Sequence, residues 1–546
     1  MKKRSVYILL IIVAFTTKVS AQTPVAQGDT ALKGTTIEVI QSYKPEIKQA
    51  TKPESTPSLP PIETTHPNFI YNVPAQNLFY TYGSLPLRPL ALDKDSVKNP
   101  FPSYIKAALG NLSTTYFDAG TGGLQGKNYE TAFHLHSLTQ KGSIQYQQSS
   151  LNDLQADGSY HTNGIVLHAG IGALYNQFYY YGYDHEKLKY NSDSLKQSFT
   201  GFKIGIDMQN EANGNSKLSY HPALSVSSYA DKFNATEIGY SFDIPVHYQL
   251  DTSLQIAAIV KGNLVQLKSG NINTDNNILS IGPGLIYHKG VFNGYAYGTA
   301  TMGKKGGTQF LPDIAASFGI HNNSIVFSTG WQGLLHQNTY EQLSTENPYI
   351  YNHYEVKQTY SNEIYGAING KVGDHINYSG RISFWHYNDM PLYVNNAYDQ
   401  KQFNILYDNS LDGVSLAGQI HYKVSNVFAV GFGTTIFNNS SSTTSHLWGI
   451  PGFKLKADLL VHPLKGLAIT GYLNMLDGIY VPINGNLNNP DKLKAIFDLG
   501  ANVEYDLINR LSVFVQINNV LNGQNQRWLG YTAYGFNIYG GIRFKF

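Results

Sequence analysis

Two histidines separated by one residue have the spacing in this sequence that best suggests chemistry. His134 and His136 would lie on the same face of an extended strand, where two imidazoles can bind a metal ion. A zinc or copper site needs at least a third ligand, and no third ligand can be identified in the sequence. We therefore interpret the pair, which is followed by Ser137, as polar residues of a barrel lumen, and we expect no metal and no other cofactor.

Other candidate sites are weaker. The run from Asn271 to Asn276 offers oxygen ligands for calcium but no Glu at the required loop spacing, so it favours a solvated loop. No Ser or Asp stands at a spacing that marks it as a nucleophile with a positioned His, and phosphate-binding glycine motifs are absent. We expect that the protein is not an enzyme.

The composition is unusual for a water-soluble protein. The 546 residues carry 39 Lys and Arg against 37 Asp and Glu, a net charge of +2 that gives no support for binding nucleic acid. Only 14% of residues are charged, against roughly 25% in ordinary soluble domains. There is no cysteine, which excludes disulfides, thiolate metal sites and a lipidated cysteine anchor.

The N-terminus has the pattern of a cleavable secretory signal. Lys2, Lys3 and Arg4 precede an apolar run over residues 6–15, and small residues precede a cleavage point after Ala21. About 10 apolar residues are too few to span a bilayer as a helix. No later segment is long and apolar enough for a membrane helix, so the exported protein can enter a membrane only as a barrel. We expect it in the outer membrane.

Residues 22–100 form a proline-rich segment, predicted to be periplasmic and extended. They contain 11 of the 22 prolines, and proline removes backbone donors from ladders and helices. Residues 35–40 could add as a strand to the sheet of a periplasmic or outer-membrane partner protein, or they are part of a plain linker.

Residues 101–546 alternate apolar and polar residues with period two, the pattern of half-buried strands. From Phe497, for example, odd positions are apolar and even positions are polar or small. Short turns alternate with longer polar connections, as in outer-membrane barrels. The pattern predicts an all-β transmembrane antiparallel barrel of about 22 strands. We place strand starts near residues 103, 115, 129, 152, 165, 196, 217, 235, 254, 276, 291, 307, 324, 355, 375, 402, 427, 446, 466, 491, 510 and 531.

The alternation also assigns side chains to the two faces. The charged residues expected to face the lumen are Lys203, Asp207, Arg381, Lys454, Lys456, Asp458, Glu504 and Asp506. They either stiffen the wall as a paired network or form a weakly selective lining for polar solutes. Aromatic residues expected at the membrane interface, or else packed among loops, are Phe178, Tyr179, Tyr180, Tyr181, Tyr183, Trp385, Tyr387, Trp448, Trp528 and Tyr531.

The C-terminus resembles known outer-membrane proteins. Tyr539, Gly541, Phe544 and Phe546 are similar to the C-terminal assembly signal of bacterial barrels, which implies the barrel assembly machinery as a partner. Residues 515–522, Trp528 and residues 535–537 resemble the penultimate-strand region of TonB-dependent receptor barrels, most closely the receptor-like barrels of Bacteroidetes. The resemblance covers about the last 60 residues well.

The sequence departs from that family at its N-terminus. Receptors of this type carry a folded plug before the barrel, and residues 22–100 are too few and too rich in proline for one. Known outer-membrane barrels of about 22 strands have a lumen filled by a plug. The lumen would then hold the N-terminal segment with aromatic residues such as Phe69 and Tyr80, or inward-folded loops, or a partner protein.

Two functions remain open. One is passage or hosting of a solute across the outer membrane by a receptor-like barrel. The alternative is a non-transporting barrel that scaffolds a multiprotein outer-membrane complex. Outer-membrane lipid is an expected partner of either.

Overall fold

A computed structural model describes residues 103–546 apart from 211–215, 305, 321–323, 353–354 and 442–443. The predicted signal peptide and the proline-rich segment lie outside these residues, and both stay predictions, as does the lack of a plug. The described helices are α1 (Ser192–Leu195) and α2 (Tyr340–Glu346), with a 3-10 turn at Ile483–Gly485. In the described part of the chain, no helix has the length and apolar character needed to cross a membrane.

Long antiparallel strands make up the wall of the molecule. They are β1 Ser103–Gly110, β2 Thr115–Gln125, β3 Tyr129–Lys141, β4 Gln148–Thr162, β5 Ile165–Tyr179, β6 Lys196–Asn210, β8 Ala223–Asp231, β9 Ala235–Gln249, β10 Leu254–Ser269, β12 Ile278–Lys289, β13 Phe292–Met302, β14 Thr308–Ile320, β15 Ile325–Gln337, β16 Gln358–Val372, β17 Ile376–Asn388, β20 Leu411–Val424, β21 Phe428–Ser441, β22 Phe453–Leu464, β23 Leu467–Asp477, β26 Ile496–Ile508, β27 Leu511–Asn518 and β30 Asn537–Lys545. Short strands are β7 Leu218–Tyr220, β11 Ile272–Asp275, β18 Met390–Asn395, β19 Phe403–Asp408, β24 Tyr480–Pro482, β25 Pro490–Lys492, β28 Gln526–Trp528 and β29 Tyr531–Thr532.

The wall closes into a ring of 22 strands, as predicted. Each wall strand pairs with the next in antiparallel register, and β1 pairs with β30 through Tyr104 and Lys545. Ser103 and Phe546 therefore lie at the same end of the barrel, which also holds tight turns such as the one between β4 and β5. We call this the short-turn end. The opposite, long-loop end holds the small hairpins β18–β19, β24–β25 and β28–β29.

The two faces of the wall differ as the alternation predicts. On β6, Phe202, Ile204 and Ile206 are exposed on the outward face, and their neighbours Lys203 and Asp207 line a polar cavity on the other face. A closed sheet pairs its backbone N–H and C=O groups within the protein, without water. The large apolar side chains on its outer face can then lie against hydrocarbon. Such a wall is suited to lipid.

Outward-facing aromatic side chains form two rings at different heights on the wall. The ring near the short-turn end contains Tyr129, Tyr160, Tyr248, Tyr287, Phe292, Phe318, Tyr422, Tyr505 and Phe544, all exposed. The ring near the long-loop end contains Tyr175, Phe202, Tyr240, Trp331, Phe384 and Phe497, also exposed. On β9 the two rings are separated by the stretch from Tyr240 to Tyr248, which rises roughly 20 Å in a tilted strand and is close to the height of an apolar band.

These rings are not made of the aromatic residues that the sequence suggested. Tyr180, Tyr181, Trp448, Trp528 and Tyr531 are all buried in clusters formed by the loops. Trp385 and Tyr387 stack on each other, and the Trp385 indole donates to Ser415 on the polar face of the wall. The interface assignment was wrong for these residues, and the alternative of packing among loops is confirmed for the five in loop clusters. A strand end gives no sign of whether its aromatic ring turns outward or into a loop core.

Candidate functional site

The polar face of the barrel is the first candidate site, and many of its charges are paired. Asp207 on β6 accepts a hydrogen bond from His168 at 2.9 Å and from His221 at 2.8 Å. The second ring nitrogen of His168 lies 3.8 Å from Asp157. Asp207, predicted to face the lumen, is thus the centre of a small network across three neighbouring strands.

Arg381, Glu504 and Asp506 also belong to paired groups. The Arg381 guanidinium donates to the buried Glu363 carboxylate at 2.5 and 3.0 Å, and it lies 3.5 Å above the ring of Tyr365. Glu504 pairs with Arg543 at 3.0 Å and with Lys106 at 3.3 Å, and Asp506 pairs with Lys545 at 2.7 Å. The pairs of Glu504 and Asp506 join β26 to β30 and, through Lys106, to β1, so they stiffen the wall near the β1–β30 closure, where its strands are short.

The remaining predicted lumen residues are different. Within the described residues, Lys203, Lys454 and Lys456 make no ion pair, and all three are exposed. Asp458 stands opposite Gly431 in the register of β21 and β22. The polar face therefore combines a paired network with unpaired ammonium groups, and each of the two interpretations of the lumen charges describes part of it.

His134 and His136 share a carboxylate that could not be identified from their spacing alone. Asp118 on β2 accepts hydrogen bonds from His134 at 3.0 Å and from His136 at 3.2 Å, because β2 and β3 place it directly opposite His136. In the described part of the chain, no group of three such residues is arranged to hold a metal ion. The pair is a hydrogen-bonded part of the wall.

A shallow cavity of about 560 Å³ crosses the polar face between β4 and β10. Its floor follows one register row in which Gly170, Gly205, Ser225 and Ser241 are consecutive neighbours. Small side chains on four adjacent strands leave room for a ligand to approach the backbone. Charged groups of Asp207, Lys203 and Lys261 stand at its edges.

The second candidate site is a cap of loops over the long-loop end. We define the cap as residues 180–195, 338–357, 389–410, 444–452, 478–495 and 519–536, excluding the undescribed positions 353–354. Its loops leave the wall after β5, β15, β17, β21, β23 and β27. Since β5 and β15 are eight strands apart in the ring of 22, loops from these strands meet by reaching across the mouth of the barrel.

Aromatic side chains form the centre of the cap. The rings of Tyr349 and Tyr531 stack with centroids 3.5 Å apart, and Tyr181 packs edge-on against Tyr531 at 4.9 Å. Trp528 packs against Tyr393 at 4.9 Å and against Phe403 at 5.6 Å. Burial raises the pKa of the Tyr349 and Tyr531 hydroxyls well above the ordinary value, so these groups stay neutral. A packed apolar core therefore lies across the mouth.

Backbone contacts and one ion pair tie the loops together at this centre. Gly530 has a φ of +84°, and a Cβ atom there would lie 2.1 Å from the carbonyl oxygen of Gly182. Arg527 donates to the carbonyl oxygen of Gly449 at 2.5 Å and to Glu346 at 3.1 Å. The loop before β30 thus contacts loops from three other parts of the ring.

Two carboxylates on the rim hold the long loop 338–357 in place. Glu237, at the top of β9, accepts the backbone N–H groups of Tyr340 at 2.6 Å and Glu341 at 3.2 Å. Asp231 accepts the Tyr340 hydroxyl at 2.7 Å and the Asn352 amide at 3.0 Å. Glu237 lies beyond Tyr240 and so outside the apolar band, and burial raises its pKa to about 7 despite the two donors.

Solved structures that resemble this chain include an iron transporter and two siderophore or pyoverdine receptors. The FrpB iron transporter from Neisseria meningitidis is 11% identical with a TM-score of 0.63, over 81% of each chain. The siderophore receptor PirA from Acinetobacter baumannii is 10% identical with a TM-score of 0.61, over 81% of this chain and 80% of that one. The pyoverdine receptor FpvA from Pseudomonas aeruginosa, bound to pyoverdine, is 11% identical with a TM-score of 0.61, over 82% and 78%. All three are TonB-dependent receptor barrels.

The chain has the fold of these receptor barrels. The sequence matches no protein-family model and no curated protein. At such low identity the likeness concerns the barrel fold alone. An origin in Bacteroidetes and recognition by the assembly machinery stay predictions.

The run from Asn271 to Asn276 is neither a calcium loop nor a solvated one. Residues Ile272–Asp275 form β11, which extends the top of β10 as a hairpin. Asn276 is fully buried and donates to the carbonyl oxygen of Asn338 at 2.9 Å. The expectation of a solvated loop was wrong, because the amide is used to join this hairpin to the cap.

Proposed function

We propose that this chain is an outer-membrane barrel that passes or hosts a solute, and that the cap controls access from the outside. The observation that carries the proposal is the combination of an apolar outer face, a polar inner face and a mouth crossed by packed loops. A wide barrel with a polar interior is useful for solutes only if something regulates it. The comparisons support a receptor-like barrel. That a solute passes through this barrel or is held in it is our proposal.

In this proposal the predicted lumen residues act in two ways. Arg381, Glu504, Asp506 and Asp207 stabilise the wall through their partners. Lys203, Lys454 and Lys456 face the lumen without ion-pair partners in the described chain and attract anionic groups on a passing solute. The short-turn end faces the periplasm and the cap faces outward, since short turns are periplasmic in such barrels.

Conductance in planar lipid bilayers tests the proposal. The full chain is compared with a Tyr349→Ala/Tyr531→Ala variant, with a variant lacking residues 22–100, and with the two changes combined. We expect little current from the full chain and large current when the centre of the cap is disrupted and residues 22–100, with any stopper they form, are deleted. If the combined variant inserts, shown by heat-modifiable gel migration, and carries no current, solute passage is excluded.

The closed mouth is the specific observation that favours the second candidate, a non-transporting scaffold. A barrel sealed on its outer side can anchor a complex and recruit periplasmic partners through residues 22–100. A pull-down from detergent-solubilised outer membranes tests this function. Stable co-purification of other membrane proteins with a barrel that never conducts would favour the scaffold, and loss of that co-purification on deleting residues 22–100 would locate the contact.

A further inference from the structure

The cavity on the polar face contains an open trough over β5. Gly170 and Gly172 face the lumen from this strand, and their register neighbours on β4 are Asp157 and Gln155. On β6 the neighbour of Gly172 is Lys203. A Cβ atom at Gly172 would meet no atom closer than 4.0 Å, so space lies directly above the backbone. The longer side chains of β4 and β6 therefore stand on the two sides of an open strip.

The two sides of the trough carry opposite charges that lack partners. Among the described residues, the only ion pair of the Asp157 carboxylate is with His168 at 3.8 Å, which is too long for a hydrogen bond. In the same part of the chain, the Lys203 ammonium makes no ion pair and the Gln155 amide makes no hydrogen bond. All three of these polar side chains are exposed. A ligand with one positive and one negative group can pair with both sides at once.

The floor beside the trough supplies neutral hydrogen-bonding groups. Ser225 and Ser241 follow Gly205 in one register row, and their hydroxyl groups share a hydrogen bond of 2.6 Å. The exposed amide of Asn263 is the next group in this row. Hydroxyl and amide groups can donate to a carbonyl oxygen and accept from an N–H group. They therefore suit the peptide groups of a ligand that lies across the strands.

The spacing of the charges sets the length of the ligand. Gln155 and Lys203 stand in one register row with Gly172 between them, so their Cα atoms are two strand spacings, roughly 10 Å, apart. Asp157 is two residues further along β4. An extended peptide gains about 3.5 Å per residue. A peptide of two or three residues therefore matches the gap between the charged side chains, whereas a single amino acid is too short.

Other classes of solute fit these charges less well. A neutral saccharide would remove water from Asp157 and Lys203 without pairing either of them. A solute with several carboxylates would pair with Lys203 but would also meet Asp157 and Asp243. One oxygen of Asp243 is already buried without a hydrogen bond in the described chain, so a second anion beside it is unfavourable.

The trough lies just inside the cap. Ser227 is the register neighbour of Lys203, and Tyr229, two residues nearer the long-loop end, packs in the core of the cap. The Tyr229 hydroxyl shares a hydrogen bond of 2.8 Å with Ser344 of α2. We infer that the trough binds a zwitterionic peptide of two or three residues, with its ammonium at Asp157 and its carboxylate at Lys203. This inference rests on the proposed function, since it names the class of solute.

Ligand-observed NMR on the refolded full chain in detergent tests the inference. Each probe is present during refolding, so that it can reach the lumen. The probes are trialanine, trialanine amide, which lacks the carboxylate, N-acetyl-trialanine, which lacks the ammonium, and maltotriose. We expect trialanine to bind most tightly. Asp157→Asn should weaken its binding about ten-fold, the effect of one charged hydrogen bond, and should remove its advantage over N-acetyl-trialanine. Lys203→Gln should remove its advantage over the amide.

Matched controls change the same charges far from the trough. Lys371→Gln and Asp374→Asn alter exposed residues at the turn between β16 and β17, and both should leave the binding of trialanine unchanged. A loss in the controls equal to that in Asp157→Asn and Lys203→Gln would overturn the inference, because it would show binding through overall charge.

The remaining outcomes separate this inference from the proposed function. Equal binding of maltotriose and trialanine, or the same preference among the probes in Asp157→Asn and Lys203→Gln as in the unchanged chain, overturns the peptide site. The absence of trialanine binding to a barrel with heat-modifiable migration also overturns it. Conductance is measured separately on the cap and deletion variants. Current without trialanine binding keeps solute passage and rejects a peptide as the solute, whereas trialanine binding without current supports hosting over passage.

Discussion

The carboxylate of Glu237 on the barrel rim accepts the backbone N–H of Tyr340 at 2.6 Å, and this contact joins the wall to the helix near the start of the cap loop 338–357. The same loop carries Tyr349 to the centre of the mouth, where it stacks on Tyr531. Glu237, a buried titratable group, thus lies where the cap joins the barrel wall. Because burial raises its pKa to about 7 from an ordinary 4.5, the closed cap binds the proton more tightly than an open cap does.

The sign of the resulting pH dependence follows from this raised pKa. The stability of the closed cap is greatest below pH 4.5 and decreases as the pH rises to about 7, by roughly 3 kcal/mol in all. Glu237→Gln keeps the side chain neutral at every pH, so it should remove this dependence. Hydrogen exchange of the amides in residues 340–350, corrected for intrinsic rates, measures the effect. Equal pH slopes in the two proteins would exclude Glu237 as the responsible group.

Tyr531→Ala should loosen the centre of the cap. The ring contacts both Tyr349 and Tyr181, and removing a buried aromatic ring costs about 3 to 5 kcal/mol. Limited proteolysis of intact vesicles should then cut the cap loops faster. Tyr531→Phe is the control, because it keeps the ring and loses the hydrogen bonds of the hydroxyl group, such as the one to the carbonyl oxygen of Lys401. If the two variants are cut at the same rate, the stacked rings do not hold the cap closed.

The number of strands could be predicted from the sequence, and the reason is local. On β6, apolar residues alternate with polar or small ones from Phe202 to Met208, because successive side chains point to opposite faces of the wall. Short turns mark where such strands begin. The predicted starts near 254, 235, 196 and 165 agree with Leu254, Ala235, Lys196 and Ile165. All four lie directly after a turn or at a clear change of pattern.

The starts that follow long loops were placed too early. Strands predicted near 402, 446 and 531 begin at Leu411, Phe453 and Asn537. The residues in between form cap structure, such as β19 at Phe403–Asp408 and β29 at Tyr531–Thr532, which has the same local alternation as the wall. Only packing against distant loops separates the two kinds of strand.

The cap itself could not have been found from one sequence. Tyr181 donates its hydroxyl hydrogen to Thr532, 351 residues away, and no periodic pattern links the two positions. The lumen charges were easier, since the face of each one follows from strand parity. Their partners were not found, because the pairing of Arg381 with Glu363 depends on the register between β16 and β17.

Arg381→Ala should destabilise the wall strongly. Glu363 is 4% exposed, and removing its partner leaves a buried charge uncompensated, at a cost of about 3 to 5 kcal/mol. The temperature at which the barrel loses its folded migration on a gel should fall, and adding Glu363→Gln should recover part of the loss. Lys454→Ala is the matched control on the same face, because Lys454 is exposed and unpaired in the described chain. Equal stability of the two single variants would contradict a structural role for the ion pair.

Gly541→Ala should impair closure of the barrel. A Cβ atom at this position would lie 1.9 Å from the carbonyl oxygen of Ala107 and 2.6 Å from the Cα of Ala108, so β30 could not approach β1 at the observed distance. Gly540→Ala is a close control, because its nearest atom would be the carbonyl oxygen of Phe514 at 3.3 Å. The yield of heat-modifiable barrel after refolding into detergent should fall sharply for Gly541→Ala and stay near normal for Gly540→Ala. The glycine of the predicted assembly signal would then be needed for the geometry of the β1–β30 pair. Equal yields from the two variants would mean that β1 and β30 can separate enough to admit a methyl group.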